Sequence, residues 1–300
     1  MGPKVLVSDF DGTLAHRDRV SPEVSRAWND LSRAGWDLLL ATGRIYASVR
    51  PHLADVPTAH PLILYDGARV IVPSTDEVLF ERFLPAETAE EALRLGWSSG
   101  LEVQVFGDEE IIIRPGEGRS GEYFRRLSIP LRDDLVEPRV DSDVYRVIFY
   151  GDPAAVRGLA IRMEDALGAA ATVTLAGDGF LDVLAPGVSK GAALEFLLRS
   201  GGRPRFLVCA GDHHNDRELL LLADLAAVPD DADDELKEIG HFIFPPAAEG
   251  GFVELARELL ALDDLPPNRQ AGNSRDPVGS GRETVEGRRK WPRTRTGKEI

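Results

Sequence analysis

One pattern limits the possible folds of this chain more than any other: short apolar runs alternate with helix-length stretches at both ends, and the alternation breaks in between. Val5 to Phe10, Trp36 to Ala41 and Pro61 to Tyr65 read as strands that do not switch polarity residue by residue. Strands of that kind are buried on both faces, as when helices cover a parallel sheet from above and below. Ser21-Pro22-Glu23 supplies an N-cap and a proline at the first helical position, predicting a helix to about Ala34. A second helix is expected from about Ile45. The rhythm returns late in the chain, with a helix from Ser189 to about Arg199, a strand over Phe206–Ala210 and a helix over Asp216–Ala223. A short strand near Leu225–Val228 and a closing helix over Glu249–Leu262 complete it.

The middle of the chain reads differently. Arg69–Val72 and Val78–Phe83 predict a hairpin around Pro73-Ser74-Thr75-Asp76. Strands over Leu101–Phe106, Glu110–Arg114, Val144–Tyr150, Ala171–Leu175 and Phe180–Leu184 then share the space with helices over Ala86–Trp97 and Pro153–Leu167. Hairpins mixed with helices indicate an α+β module set inside an α/β protein. The expected fold class is α/β: a doubly wound, mostly parallel core from residues 1–82 and 183–262, with an α+β insertion over 83–182. Residues 263–300 have no apolar periodicity and are expected to be a disordered tail.

Charge and composition narrow the function. The net charge is −15, and the nine basic and four acidic residues beyond Leu265 leave a net of −20 on the rest. An acidic body without a basic stripe speaks against nucleic-acid binding. No apolar run approaches the ~20 residues of a membrane span, so no membrane partner is expected. The first residues run straight into a strand without a secretory signal, which predicts a cytoplasmic location. The one cysteine, Cys209, excludes an internal disulfide and, inside an apolar strand, reads as an inert buried thiol.

The chemistry is expected at Asp9-Phe10-Asp11-Gly12-Thr13, where the first strand ends. Residues two apart on a strand point the same way, so Asp9 and Asp11 are expected to face one space beyond the carboxyl edge of the sheet. Open α/β sheets bind ligands at that edge. Two carboxylates there call for a hard cation, and oxygen ligands suit Mg²⁺. Gly12 allows a sharp turn that offers backbone N–H groups to an anion.

This motif resembles the nucleophile loop of the haloacid dehalogenase superfamily, and three further segments match that family in order. They are Ala41-Thr42-Gly43-Arg44, Ser189-Lys190-Gly191, and Gly211-Asp212-His213-His214-Asn215-Asp216. The insertion between the second and third motifs is similar to the α/β cap of type IIB (Cof-like) members. Phe180 to Gly191 also resembles sucrose-phosphate phosphatases, which points to a phosphosugar. By this resemblance Asp9 is the nucleophile, Asp11 the acid and base, and Lys190 the cation that neutralises both Asp9 and the phosphoryl group. It also implies phosphate contacts from Gly12, Thr42, Gly43, Lys190 and Asn215, and Mg²⁺ held by Asp9, Asp11 (through its carbonyl), Asp212 and Asp216.

The implied reaction is hydrolysis of a small phosphorylated metabolite. A phosphomutase of the same fold and a non-catalytic sugar-phosphate sensor are the alternatives. Two departures from the family pattern stand out: Asp66 where Asn is usual, expected to make the same side-chain turn, and Pro229-Asp230-Asp231-Ala232 where a glycine turn is usual. His213 and His214 are expected to be exposed, and the Arg-rich end of the chain to be solvated.

Overall fold

The computed structural model describes residues 2–263 except 109, 117–120, 123, 126–128 and 176–178; the tail expected over 263–300 lies, but for its first residue, outside them. In chain order the strands are β1 (Lys4–Ser8), β2 (Trp36–Leu40), β3 (Leu62–Leu64), β4 (Arg69–Val72), β5 (Glu77–Glu81), β6 (Glu102–Phe106) and β7 (Ile111–Ile113). They continue with β8 (Leu131–Arg132), β9 (Arg146–Tyr150), β10 (Thr172–Leu175), β11 (Phe180–Leu184), β12 (Phe206–Ala210), β13 (Leu225–Pro229) and β14 (Phe242–Phe244).

The core sheet runs β14-β13-β12-β1-β2, parallel at every step. A bridge between Ala41 and Ile63 carries it on to the antiparallel β3-β4-β5 ribbon, which contains the expected hairpin. Alternate residues of β1 serve two cores. Leu6 faces a layer with Trp28 and Leu31 of the helix Pro22–Arg33 and Phe252 and Leu255 of the last helix, Phe252–Asp263. Val5 and Val7 face the opposite layer, with Leu194 of Lys190–Gly201 and Leu219 of Arg217–Leu222. That two-sided burial is why these strands carry no polar alternation. Trp28 is fully buried and its indole N–H donates to the Pro57 carbonyl at 2.8 Å. Truncating it to alanine would cost about 3–5 kcal/mol.

Local signals placed several helices. Ser21 caps the first, its hydroxyl accepting from the Val24 N–H at 3.3 Å, with Pro22 next. Ser189 caps Lys190–Gly201, accepting from the Ala192 N–H at 3.0 Å. The helix expected from Ile45 is short: Tyr46–Val49 gives way to a 3-10 turn over Arg50–Ala54, because Pro51 cannot donate into the helical ladder. The helix Asp234–Ile239 and strand β14 were not anticipated; three residues of strand carry almost no periodic signal.

The second sheet runs β10-β11-β9-β6-β7-β8, antiparallel except between β7 and β8. Val103, Val147, Phe149 and Leu181 face its own helices, Ala86–Gly96 and Pro153–Leu167. Its other face turns to the core: Phe106, Ile148 and Leu184 share one apolar cluster with Leu64 and Tyr65. Tyr65 stacks on Tyr145 with ring centroids 4.3 Å apart and donates to the Gly107 carbonyl at 3.2 Å. β11 carries the second sheet to Leu184, just past the expected boundary at 182/183. Among the described residues no helix is long and apolar enough to cross a membrane.

Candidate active site

Parallel pairing of β1 with β12 brings the two acidic strand ends side by side. Ser8 pairs with Ala210, and the Asp9 N–H still donates to the Ala210 carbonyl at 2.9 Å, so Asp9 and Asp212 emerge together at the carboxyl edge. Lys190 reaches them from its helix start. Its Nζ lies 2.6 Å from Asp9 Oδ1 and 2.7 Å from Asp216 Oδ1, with all three side chains buried. The Asp216 carboxylate also accepts from the Asp212 N–H at 3.0 Å, so it braces the fourth motif internally while its other oxygen ties that motif to Lys190 of the third. Lys190 is thus a buried cation rather than a solvated surface lysine.

The electrostatics follow from burial. Burial lifts the Asp9 carboxyl well above the usual carboxylate range; Lys190 pulls it back, and Asp216, Asp212 and Asp11 push it further up. Burial and Asp216 raise Asp212 likewise. Burial opposes the Lys190 charge, but Asp216, Asp9 and Asp66 outweigh it and hold the ammonium well above an ordinary lysine. Asp9, Asp212 and Asp216 offer carboxylate oxygens all within 4.8 Å of one another, each buried. Hard oxygen donors and mutual repulsion fit a divalent cation such as Mg²⁺, which would neutralise what Lys190 alone cannot.

Two expectations in the first motif need correction. Asp11 lies near enough for its charge to act on both Asp9 and Asp212, but strand alternation does not bring it there: β1 ends at Ser8, before either aspartate. The Asp11 carboxylate is instead gripped by Arg44, with Nε to Oδ2 and Nη2 to Oδ1 both 2.7 Å, and about half of it is exposed. It therefore stands outside the three-carboxylate cluster. Arg44 Nη1 also holds Asp18 at 2.5 Å, and its guanidinium lies over the Phe10 ring, 4.7 Å from the centroid. The second correction concerns Gly12, whose N–H is taken by the Ala15 carbonyl at 2.9 Å and so is not offered to an anion. What Gly12 supplies is close approach. Its φ is +79°, and a Cβ there would stand 2.0 Å from Asp212 Oδ2.

Thr42 is buried at the end of the β2 extension, its N–H donating to the Ile63 carbonyl at 2.9 Å and its hydroxyl accepting from the Arg44 N–H at 3.1 Å. Gly43 follows, its carbonyl accepting from Arg146 Nη2. The Asn215 amide donates to Asp66 Oδ1 at 2.8 Å. Asp66 keeps the left-handed turn expected of an Asn, with φ +52°, but its carboxylate does more: Oδ2 lies 2.6 Å from Arg146 Nη1, and Oδ1 lies 3.7 Å from Lys190 Nζ. Arg146 in turn holds Asp182 Oδ2 at 2.6 Å. Arg44, Arg146 and Asp182 were missed in the sequence. A signal existed for the last two, since each is a single charge inside an otherwise apolar strand.

The two histidines are paired as well as partly exposed. His213 lies 3.3 Å from Asp212 and 3.4 Å from Asp233, and His214 contacts Glu235. Cys209 is fully buried between β1 and β13, and burial pushes its thiol up, as an inert thiol requires.

Comparison with known proteins agrees with this geometry. A family described as haloacid dehalogenase-like hydrolase matches residues 6–255. The HMP-PP phosphatase of Cronobacter sakazakii is 31% identical over 225 residues, covering 72% of this chain and 79% of that protein. The HMP-PP phosphatase of Serratia proteamaculans is 28% identical over 241 residues, covering 79% and 87%. Among solved structures, a haloacid dehalogenase-like hydrolase from Bacteroides thetaiotaomicron superposes with a TM-score of 0.74 at 20% identity, covering 86% of this chain and 99% of that one. A sugar phosphatase of subclass IIB gives 0.71 at 19%, covering 85% and 98%. The chain belongs to the haloacid dehalogenase-like hydrolases and is a phosphoric monoester hydrolase of type IIB architecture.

Proposed function

We propose that this protein is a Mg²⁺-dependent phosphatase that passes the phosphoryl group of a small phosphorylated metabolite to Asp9 and then to water. One observation carries the reading: the Lys190 ammonium sits buried between Asp9 and Asp216, at 2.6 and 2.7 Å, beside Asp212. An isolated buried carboxylate is a costly feature, and a nucleophile aimed at an anion needs its charge neutralised in this way. Asp9, Asp212 and Asp216, with the Asp11 carbonyl, would hold the Mg²⁺. The ion supplies neutralising charge for the phosphoryl oxygens.

The residues divide the remaining work. An Asp9 carboxylate oxygen bonds to phosphorus as the bond to the ester oxygen breaks, giving an aspartyl phosphate. Asp11 donates a proton to the departing alkoxide, then accepts one from the water that attacks the aspartyl phosphate. Inorganic phosphate leaves and the Asp9 carboxylate is restored. Lys190, the Thr42 hydroxyl, Gly43 and Asn215 hold the phosphoryl oxygens, and the second sheet, acting as a cap formed by residues 83–182, supplies contacts to the leaving group. Phosphosugars and HMP-PP are the first substrates to assay: the sequence around Phe180–Gly191 favours the former, and the names of the relatives at 28–31% identity the latter.

The test is phosphate release from a panel of phosphosugars, HMP-PP and an aryl phosphate, with Mg²⁺ and with chelator. Wild-type protein should release inorganic phosphate only with Mg²⁺, and Asp9→Asn, which keeps the shape but cannot attack, should be inactive while still folded. Near wild-type turnover by the Asn variant refutes the nucleophile. A positional isomer in place of free phosphate would make the enzyme a mutase.

A further inference from the structure

The cap sheet sends one cation into the core. Arg146 lies on β9, on the face turned to the core, and only 7% of its side chain is exposed. Across the pairing with β11 it stands opposite Leu184, so Asp182 is its diagonal neighbour on the same face and holds it at 2.6 Å. Beyond that pair the guanidinium crosses to the core, where it bonds Asp66 Oδ2 at 2.6 Å and the Gly43 carbonyl. Asp66 is the hub on the far side, with Asn215 on its other oxygen at 2.8 Å and Lys190 Nζ at 3.7 Å. Gly43 belongs to the same cradle: a Cβ at that position would lie 2.8 Å from Asp66 Oδ2. The Asp66 N–H also donates to the Thr42 carbonyl at 3.2 Å, so every group assigned to phosphate binding except Gly12 is within one contact of Asp66 or Arg146.

Charge explains why an acid occupies position 66, where an amide is usual in the resembling family. An Asn could make the same left-handed turn, but it could not neutralise a buried guanidinium delivered from the cap. The arrangement is also tight enough to carry a cost. Arg146 Nε and Asp182 Oδ1 are buried with no hydrogen-bond partner, a feature that persists where other contacts demand it.

We infer that Arg146 is a positioning residue for the phosphatase reaction: seated on Asp66 and the Gly43 carbonyl, it fixes Lys190, Asn215 and the Thr42-Gly43 turn, so the phosphate pocket is complete only when the cap is docked. The inference rests on the phosphatase reading above. It assigns Arg146 no contact with substrate, and it couples cap position to catalytic geometry through the core side of the interface. Asp182 keeps the guanidinium extended toward the core.

The test is steady-state turnover of p-nitrophenyl phosphate with Mg²⁺ by Arg146→Gln, Arg146→Lys, Asp66→Asn and the Asp66→Asn/Arg146→Gln double variant. A small displacement of catalytic groups costs up to about a hundredfold, so Arg146→Gln should lower kcat by roughly 10- to 100-fold with KM nearly unchanged. Lysine should recover part of the loss, and the double variant should be no worse than the poorer single one. In metal-free protein, backbone hydrogen exchange should quicken across Thr42–Arg44 and Tyr65–Ala68 in Arg146→Gln and stay unchanged in Phe206–Ala210. Unchanged kcat in a folded variant, a loss confined to KM, or additive losses in the double variant would each overturn the inference. If Arg146→Gln does not fold, Asp66→Asn decides, and wild-type kcat there overturns it. Failure of the wild-type protein to hydrolyse any phosphate ester would sink the phosphatase reading instead, and the exchange measurement would then decide whether the clasp orders the two turns.

Discussion

Replacing Lys190 with Met tests the electrostatic core of the site. The two side chains are similar in length, so packing is largely kept while one charge is removed. In the native protein that charge contacts Asp9 at 2.6 Å and Asp216 at 2.7 Å, and faces Asp66 at 3.7 Å, all essentially shut off from water. Each charge-assisted hydrogen bond contributes about 1.5–3 kcal/mol, but the two are not independent. The better guide is the cost of leaving a buried ion unpaired, about 3–5 kcal/mol. For a protein of this size that corresponds to a fall in Tm of roughly 6–20 °C. The assay is urea unfolding of metal-free protein at neutral pH. Adding Asp216→Asn to Lys190→Met should offset part of the loss, because it removes one of the stranded carboxylates while an amide oxygen can still accept from the Asp212 N–H. A loss below about 1 kcal/mol would refute the reasoning, as the pair would then be worth no more than a surface ion pair. So would a double variant less stable than Lys190→Met alone.

Gly12→Ala should fold with a penalty of about 1–2 kcal/mol for a side chain at φ +79°. Because its Cβ would displace the Asp212 carboxylate, turnover should fall on the order of a hundredfold; full activity would show that Asp212 does not need its observed place. Asp182 gives a pH test. Burial first, then Asp66, raises its carboxyl to about 7 from an ordinary 3.8, against the pull of Arg146. Between those values the unfolded chain has released this proton while the folded protein keeps it, so stability falls as pH rises from about 4 to 7. Asp182→Asn should remove that slope, on the order of 4 kcal/mol across the window, and parallel stability curves for the two proteins would refute the assignment. Arg44→Lys, which cannot grip both oxygens of Asp11, should lower kcat about tenfold with little change in stability, measured with the same aryl phosphate; unchanged kcat would show that Asp11 needs no fixed position.

Much of this protein could be read without its coordinates, because the relevant physics is local. Strands buried on two faces must be apolar throughout, so β1, β2, β12 and β13 were visible as a parallel sheet. Ser21 and Ser189 cap their own helices through bonds three residues long. Asp9, Thr42, Lys190 and Asp212 each close or open a regular element, and the order of their motifs along the chain matched a family. What stayed hidden depends on contacts between distant segments. The Asp11 side chain is turned by Arg44, 33 residues away, and the rule of alternate faces could not say where β1 would stop. Asp66 looked like a turn residue because its local conformation is that of a turn; its partner Arg146 lies 80 residues on, in the inserted sheet. A charge inside an apolar strand announces that it must be neutralised, but the sequence carries no record of which opposite charge folding will bring to it. That choice is made when two sheets dock and exclude water between them.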